Sequence, residues 1–278
     1  MVKIKTIGTV EAPQVWTVEY EIDFATASNH EFGPWTEGDE VALNGVTWSA
    51  SSGSRPTKFE IKNGVGLEID PKPSTSDNWY GSGRKAPVLS ALVSDIVSGI
   101  KDDDILAFQL VMTGSTLTSN YQAFGLGVFD GSGNISGSVS SGTNPDGFVC
   151  ARNFYEGSKT SIGSIRNNKQ DRYVDVQGDF YEIIWYPNVS FYIAMSTIGS
   201  NPFSEPGKLY TYQGYLAMEG SYGSDSAPSP TYGYPNWDIH RPDHSSLQAR
   251  VAIFASGQTS SDQLVTTATR FRVLRKGK

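Results

Sequence analysis

The feature that most constrains this chain is a two-residue rhythm of apolar side chains that returns along its whole length. In Trp16–Phe24 the residues Trp16, Val18, Tyr20, Ile22 and Phe24 fall on one side of an extended backbone, and Thr17, Glu19, Glu21 and Asp23 on the other. A helix does not sort residues that way. A strand with one face on a core does, because successive side chains point to opposite faces. The alternation recurs in Val65, Leu67, Ile69; in Leu106, Phe108, Leu110, Met112; and in Phe124, Leu126, Val128. It returns in Ile183 with Trp185, in Phe191, Ile193, Met195, in Val251, Ile253, Ala255, and in Phe271 with Val273. Runs this numerous predict an all-β, two-sheet core.

Between the runs lie residues with turn chemistry. Lys62-Asn63-Gly64 parts two alternating segments, and Asn-Gly is a strong hairpin signal, so Phe59–Ile61 and Val65–Asp70 are expected to pair. Tyr186-Pro187-Asn188 separates Tyr181–Trp185 from Phe191–Met195 in the same manner. One segment departs from the rhythm: Val88, Leu89, Leu92, Val93, Ile96 and Val97 recur at helical spacing between Pro87 and Gly99, which predicts a short helix over Ala86–Ser98. Ser49–Thr57, Ser132–Gly147 and Gly220–Ser246 read as loops, the last too long for a simple connection.

Composition narrows the classes of partner. Lys and Arg total 22 against 29 Asp and Glu, a formal charge of −7, which repels polyanions and makes nucleic acid an unexpected partner. Aromatic residues make up 12% of the chain, enough to fill a sizeable core. Cys150 is the only cysteine, so no intrachain disulfide can form, and it reads as an inert buried side chain. Met1-Val2-Lys3-Ile4-Lys5 has no continuous apolar stretch, so no signal peptide is expected, and no run approaches a transmembrane span. The whole of 1–278 is expected to form a single domain with a long loop at about 220–246.

The order of these pieces resembles the concanavalin A-like, or laminin-G-like, jelly-roll family. The likeness rests on a strand ending in Asp23-Phe24, on Gly45-Val46-Thr47-Trp48, on Val65-Gly66-Leu67-Glu68-Ile69, and on the closing pair Arg250–Ala255 and Thr269–Leu274. It implies an antiparallel two-sheet jelly-roll sandwich whose last strand returns beside the first. Family members include lectins, glycan-cleaving enzymes and adhesive modules of viral particles, so fold is implied more sharply than activity. A Gly/Ser/Tyr-rich, nearly cysteine-free version looks most like a bacteriophage virion component.

Several residue groups carry side chains suited to chemistry. Glu68-Ile69-Asp70 places two carboxylates on one strand face and resembles the Glu-x-Asp-x-Glu strand of laminarinase-like glycosidases, but Lys72 stands where the third carboxylate belongs. A solvated strand face is the plainer reading. Asp130-Gly131-Ser132-Gly133-Asn134 begins like a calcium loop, yet Ile135 replaces the glycine such a loop requires, so a turn is expected there. Asp102-Asp103-Asp104 could offer carboxylates to calcium at the rim, as in some laminin-G-like domains, or be a charged turn. His240 and His244 flank Pro242, which argues against a helical zinc pair.

Aromatic residues remain. Trp79, Tyr80, Tyr232, Tyr234 and Trp237 fall in or beside loops, where flat faces with polar tips pack on sugar rings or protein partners. These five are the candidate binding residues; no catalytic residue, metal or cofactor is assigned. The expected function is a non-enzymatic structural protein of a bacteriophage virion, in capsid or tail, contacting other virion proteins, copies of itself and host surface glycan. A glycan-cleaving enzyme using Glu68 and Asp70, or a free lectin, is the alternative.

Overall fold

The computed structural model describes residues 15–32, 39–51, 57–71, 88–101, 104–114, 123–130, 149–156, 159–166, 169–174, 179–185, 190–196, 205–206, 216–221, 249–256 and 266–276. In chain order these form β1 (Trp16–Asp23), β2 (His30–Glu31), β3 (Asp39–Leu43), β4 (Val46–Ser51), β5 (Thr57–Lys62), β6 (Gly66–Pro71) and β7 (Val88–Leu92). The helix α1 (Val93–Ile96) follows, then β8 (Ile105–Gly114), β9 (Ala123–Asp130), β10 (Val149–Glu156), β11 (Lys159–Arg166) and β12 (Lys169–Val174). The described strands end with β13 (Phe180–Trp185), β14 (Ser190–Ser196), β15 (Leu216–Ser221), β16 (Ala249–Ser256) and β17 (Thr266–Lys276).

The strands build two antiparallel sheets. A nine-stranded sheet runs β15-β14-β13-β8-β17-β6-β5-β2, with β1 also paired to β17, and an eight-stranded sheet runs β12-β11-β10-β9-β16-β7-β4-β3. The last strand therefore does lie beside the first. β17 serves two partners along one edge: Thr266–Ala268 pair with β6, and Arg270–Lys276 with β1. The exchange happens at Thr269, an irregularity in the pairing with β8, and the Thr269 carbonyl accepts from the Phe24 N–H at 2.9 Å. Bulges commonly mark such changes of partner.

The inner faces meet in one apolar core. Phe108, Leu110, Tyr181 and Phe271 from the larger sheet pack with Trp48, Leu89, Leu126 and Ile253 from the smaller. Rings cross the gap: Trp48 stands edge-on to Phe271 at 5.4 Å, and Phe124 to Tyr181 at 6.4 Å. A buried hydrogen-bond chain ties the sheets as well, with Trp48 Nε1 donating to the Tyr20 hydroxyl (3.1 Å) and that hydroxyl to the Leu43 carbonyl (3.0 Å). Burial pushes the Tyr20 phenol up to about 12, against the opposing hydrogen bond from Trp48.

The all-β expectation holds, and five local expectations change. The register of β1 on β17 shifts between Val18 and Tyr20, so the alternation reverses there. Tyr20 and Ile22 face the core, whereas Trp16 packs with Ala107, Val111 and Leu274 on the opposite face of the sheet, and Val18 is exposed.

The helix expected over Ala86–Ser98 shrinks to Val93–Ile96. Val88–Leu92 is a strand between β4 and β16, and Val88, Leu89, Ser90 and Ala91 are all buried. A strand buried on both faces loses its alternation, and its apolar run then mimics a helix. Val65 lies not in a strand but in the turn before β6, with Gly64 at φ 82. The loop at Ser49–Thr57 is shorter than expected, since β4 continues to Ser51 and β5 begins at Thr57, and β15 takes Gly220 and Ser221 from the long loop.

Candidate functional site

The outer face of the larger sheet holds Glu68, one of the two carboxylates singled out by sequence. Ile61, Leu67 and Ile69 turn inward, so the intervening residues of β5 and β6 turn outward. Glu60 and Glu68 stand directly opposite one another across the hairpin, and Glu31 stands opposite Glu60 on its other side. Lys62 reaches both carboxylates, hydrogen-bonded to Glu68 and 3.5 Å from Glu60. That hydrogen bond is the main cause that raises the Lys62 ammonium above its ordinary range. Asp70 lies in β6 opposite Lys58. Glu68 is thus one member of a Glu-Lys-Glu arrangement on a partly exposed strand face.

Hydrogen bonds tie the hairpin turn beside it to the segment before β2. The Asn63 N–H donates to Asn29 Oδ1 (2.7 Å), Asn63 Nδ2 to the Ala27 carbonyl (3.1 Å), and the Gly64 N–H to the Ala25 carbonyl (2.7 Å). Asn29, His30, Glu31, Glu60, Lys62, Asn63 and Val65 line an open depression of about 500 Å³ there.

Farther along the same face is a polar row that sequence reasoning missed. Glu21, Arg272, Gln109 and Glu182 are in register across β1, β17, β8 and β13. Arg272 Nε donates to Gln109 Oε1 at 2.6 Å, Gln109 Nε2 hydrogen-bonds Glu182, and Glu21 pairs with Arg270 at 2.5 Å. Gln109 and Glu182 are fully buried. Burial holds the Arg272 guanidinium below its ordinary range, with Glu21 and Glu182 pulling the other way. The signal was present in the sequence as a polar residue at the centre of two apolar strands, Gln109 between Phe108 and Leu110 and Glu182 between Tyr181 and Ile183.

At the rim, Asp104 is not presented to solvent. Its carboxylate pairs with Arg275 and accepts the Lys101 N–H at 2.7 Å. Asp102 and Asp103 lie outside the described residues, as do His240, His244 and the turn after Asp130.

The five candidate binding aromatics also lie outside the described residues, but the strands that bound their segments are placed. Trp79 and Tyr80 belong to the crossing from Pro71 of β6 to Val88 of β7; Tyr232, Tyr234 and Trp237 belong to the crossing from Ser221 of β15 to Ala249 of β16. Neighbouring strands in both sheets are antiparallel, so direction alternates along each sheet order. Counting along the larger sheet, β6 and β15 run oppositely, and along the smaller, so do β7 and β16. The two crossings therefore leave from, and return to, opposite ends of the sandwich.

No protein-family model matches the sequence, and no curated protein matches it. Solved structures resemble the fold. The GH43 protein BlXynB of Bacillus licheniformis, in a mutant form, is 14% identical over 95% of this chain with a TM-score of 0.45, and the chain spans 41% of that protein's length. The CBM2 module of the evolved Dit of Lactobacillus casei BL23 phage J-1 is 11% identical, with 96% of this chain and 99% of that one covered and a TM-score of 0.40. The lectin of Bauhinia forficata in complex with GalNAc is 9% identical, with 88% and 98% covered and a TM-score of 0.39. Likeness at this level transfers no activity.

Proposed function

We propose that this protein is a non-enzymatic recognition module of a bacteriophage virion, a concanavalin A-like jelly roll that binds neighbouring virion proteins and host surface glycan. The observation that carries the reading is the polarity of the strands. Aromatic-rich segments whose bounding strands end at opposite ends of the sandwich suit an adaptor, with one end toward the particle and the other outward. Tyr and Trp bring large contact area at low entropic cost, which is what such ends require. The engagement of Glu68 by Lys62, with Glu60 directly opposite, favours binding over glycan cleavage, because Glu68 does not stand as an isolated acid facing a nucleophile.

Particle fractionation with mass spectrometry, followed by glycan and particle binding, tests this. The protein is expected in purified virions. Trp79→Ala with Tyr80→Ala is expected to impair one binding activity, and Tyr232→Ala with Tyr234→Ala and Trp237→Ala the other, with unchanged unfolding midpoints. Absence from every particle fraction removes the virion reading. Sugar release from a polysaccharide panel that disappears in Glu68→Gln replaces it with the glycosidase alternative.

A further inference from the structure

Three oxygen-bearing groups of the connection between β7 and β8 converge on one side chain of β17. Arg275 donates from Nη1 to the Ser98 carbonyl (3.2 Å) and from Nη2 to the Gly99 carbonyl (3.0 Å), and it pairs with the Asp104 carboxylate. The Asp104 side chain is only 11% exposed. Lys101 folds the connection back on itself, its N–H on the Asp104 carboxylate (2.7 Å) and its carbonyl accepting the Asp104 N–H (3.1 Å). Gly99, at φ 60, takes the left-handed backbone that this tight path needs. A carboxylate beside two main-chain carbonyls is a donor set that calcium takes with water completing its shell. Here a guanidinium takes it.

We propose that Arg275 is a built-in cation: it fills an oxygen cage that could otherwise hold calcium, and so makes this rim independent of metal. A nearly buried carboxylate is costly without a positive partner, so the connection needs a cation of one kind or the other. The planar fork of arginine reaches three separated oxygens at once, whereas a lysine ammonium is a point charge with fewer directions to offer. Strand polarity puts this cage at the end of the sandwich from which the 222–248 crossing leaves, so, on the functional reading above, recognition at that end is expected to survive chelation.

Arg275→Ala empties the cage and leaves its oxygens in place. Thermal unfolding is followed in chelator, in millimolar calcium, and in sodium chloride of equal ionic strength. The unsubstituted protein is expected to unfold at the same temperature in all three. The alanine variant is expected to unfold earlier in chelator and to recover at least half of the loss in calcium, but not in sodium. Should it fail to fold in chelator, calcium is expected to restore a cooperative transition. Arg275→Lys keeps a positive charge in the cage, so an intermediate midpoint with little calcium response is expected. The inference is overturned if chelator destabilises the unsubstituted protein, or if the alanine variant gains no more from calcium than from sodium. Neither outcome touches the binding assays of the aromatic variants.

Discussion

The centre of the larger sheet and the hairpin at its edge bury their inner faces alike and differ on the outer one. In β8 and β13 the outward residues Ala107, Gln109, Val111, Phe180, Glu182 and Ile184 are as buried as the inward ones. In β5 and β6 the outward residues Glu60, Lys62 and Glu68 keep 23%, 41% and 25% of their side-chain surface. At the centre, polar side chains survive only as an in-register hydrogen-bonded row, since a buried polar group without a partner is costly. At the hairpin, charges sit in water and need no such arrangement. The same sheet thus carries structural polarity in one place and surface polarity in another.

The largest expected effect lies at the centre. Leu110→Ala in β8 and Ile253→Ala in β16 each remove a fully buried side chain from the shared core, at a cost of about 2–5 kcal/mol. Urea titration measures it. A change too small to resolve in either variant would mean that the inner face is not the tightly packed layer described, and the contrast with the hairpin would lose its basis.

How much of this could be read beforehand follows from the same contrast. All eight alternating runs lie in strands, apart from Val65 and Phe24, because in each an apolar residue recurs at every second position. β7 escaped because its buried apolar run continues without a turn into Val93 and Ile96 of α1, so that strand and helix together read at helical spacing. β11 and β12 escaped because Lys159–Arg166 and Lys169–Val174 hold few apolar residues, and their extended state comes from pairing with neighbours; β10 escaped because the apolar residues of Val149–Glu156 do not alternate. The reversal at Val18 was invisible because a bulge leaves no mark in composition. Asn44-Gly45 carries the same hairpin signal as Asn63-Gly64; its φ values of 47 and 83 make the tight β3–β4 hairpin turn. Of the candidate chemistry, Glu68 and Asp104 could be placed on an element and a rim, but their Lys62 and Arg275 partners are set by strand register and by a contact across 171 residues.

A smaller effect is expected at the joint between the two regions. Gly66 begins β6 at φ 134, and a Cβ there would stand 2.7 Å from the Ala268 carbonyl oxygen of β17. Gly66→Ala is expected to cost about 1–3 kcal/mol through backbone strain, with crowding against β17 in addition. Hydrogen exchange would sharpen the result: protection should fall in β6 and in Thr266–Ala268 before it falls in β8. Uniform loss of protection would mean that the hairpin and the centre unfold as one unit.

The smallest effect is expected on the hairpin's charged face. Lys62→Met removes the cation between Glu60 and Glu68 and leaves two carboxylates directly opposite one another. Exposed ion pairs contribute little, so only a slight fall in the unfolding midpoint is expected, visible at low salt and suppressed at high salt. Its pH dependence has a definite sign. The folded-state Lys62 ammonium is raised above the ordinary 10.5 of lysine, chiefly by the hydrogen bond to Glu68. Stability gained from it is therefore fully present below that value and fades as pH climbs through the raised one. The difference between the two proteins should be constant through neutral pH and vanish in strong alkali. A large fall that salt does not reduce would show that Lys62 is packed as tightly as Gln109, and the distinction between surface and structural polarity in this sheet would fail.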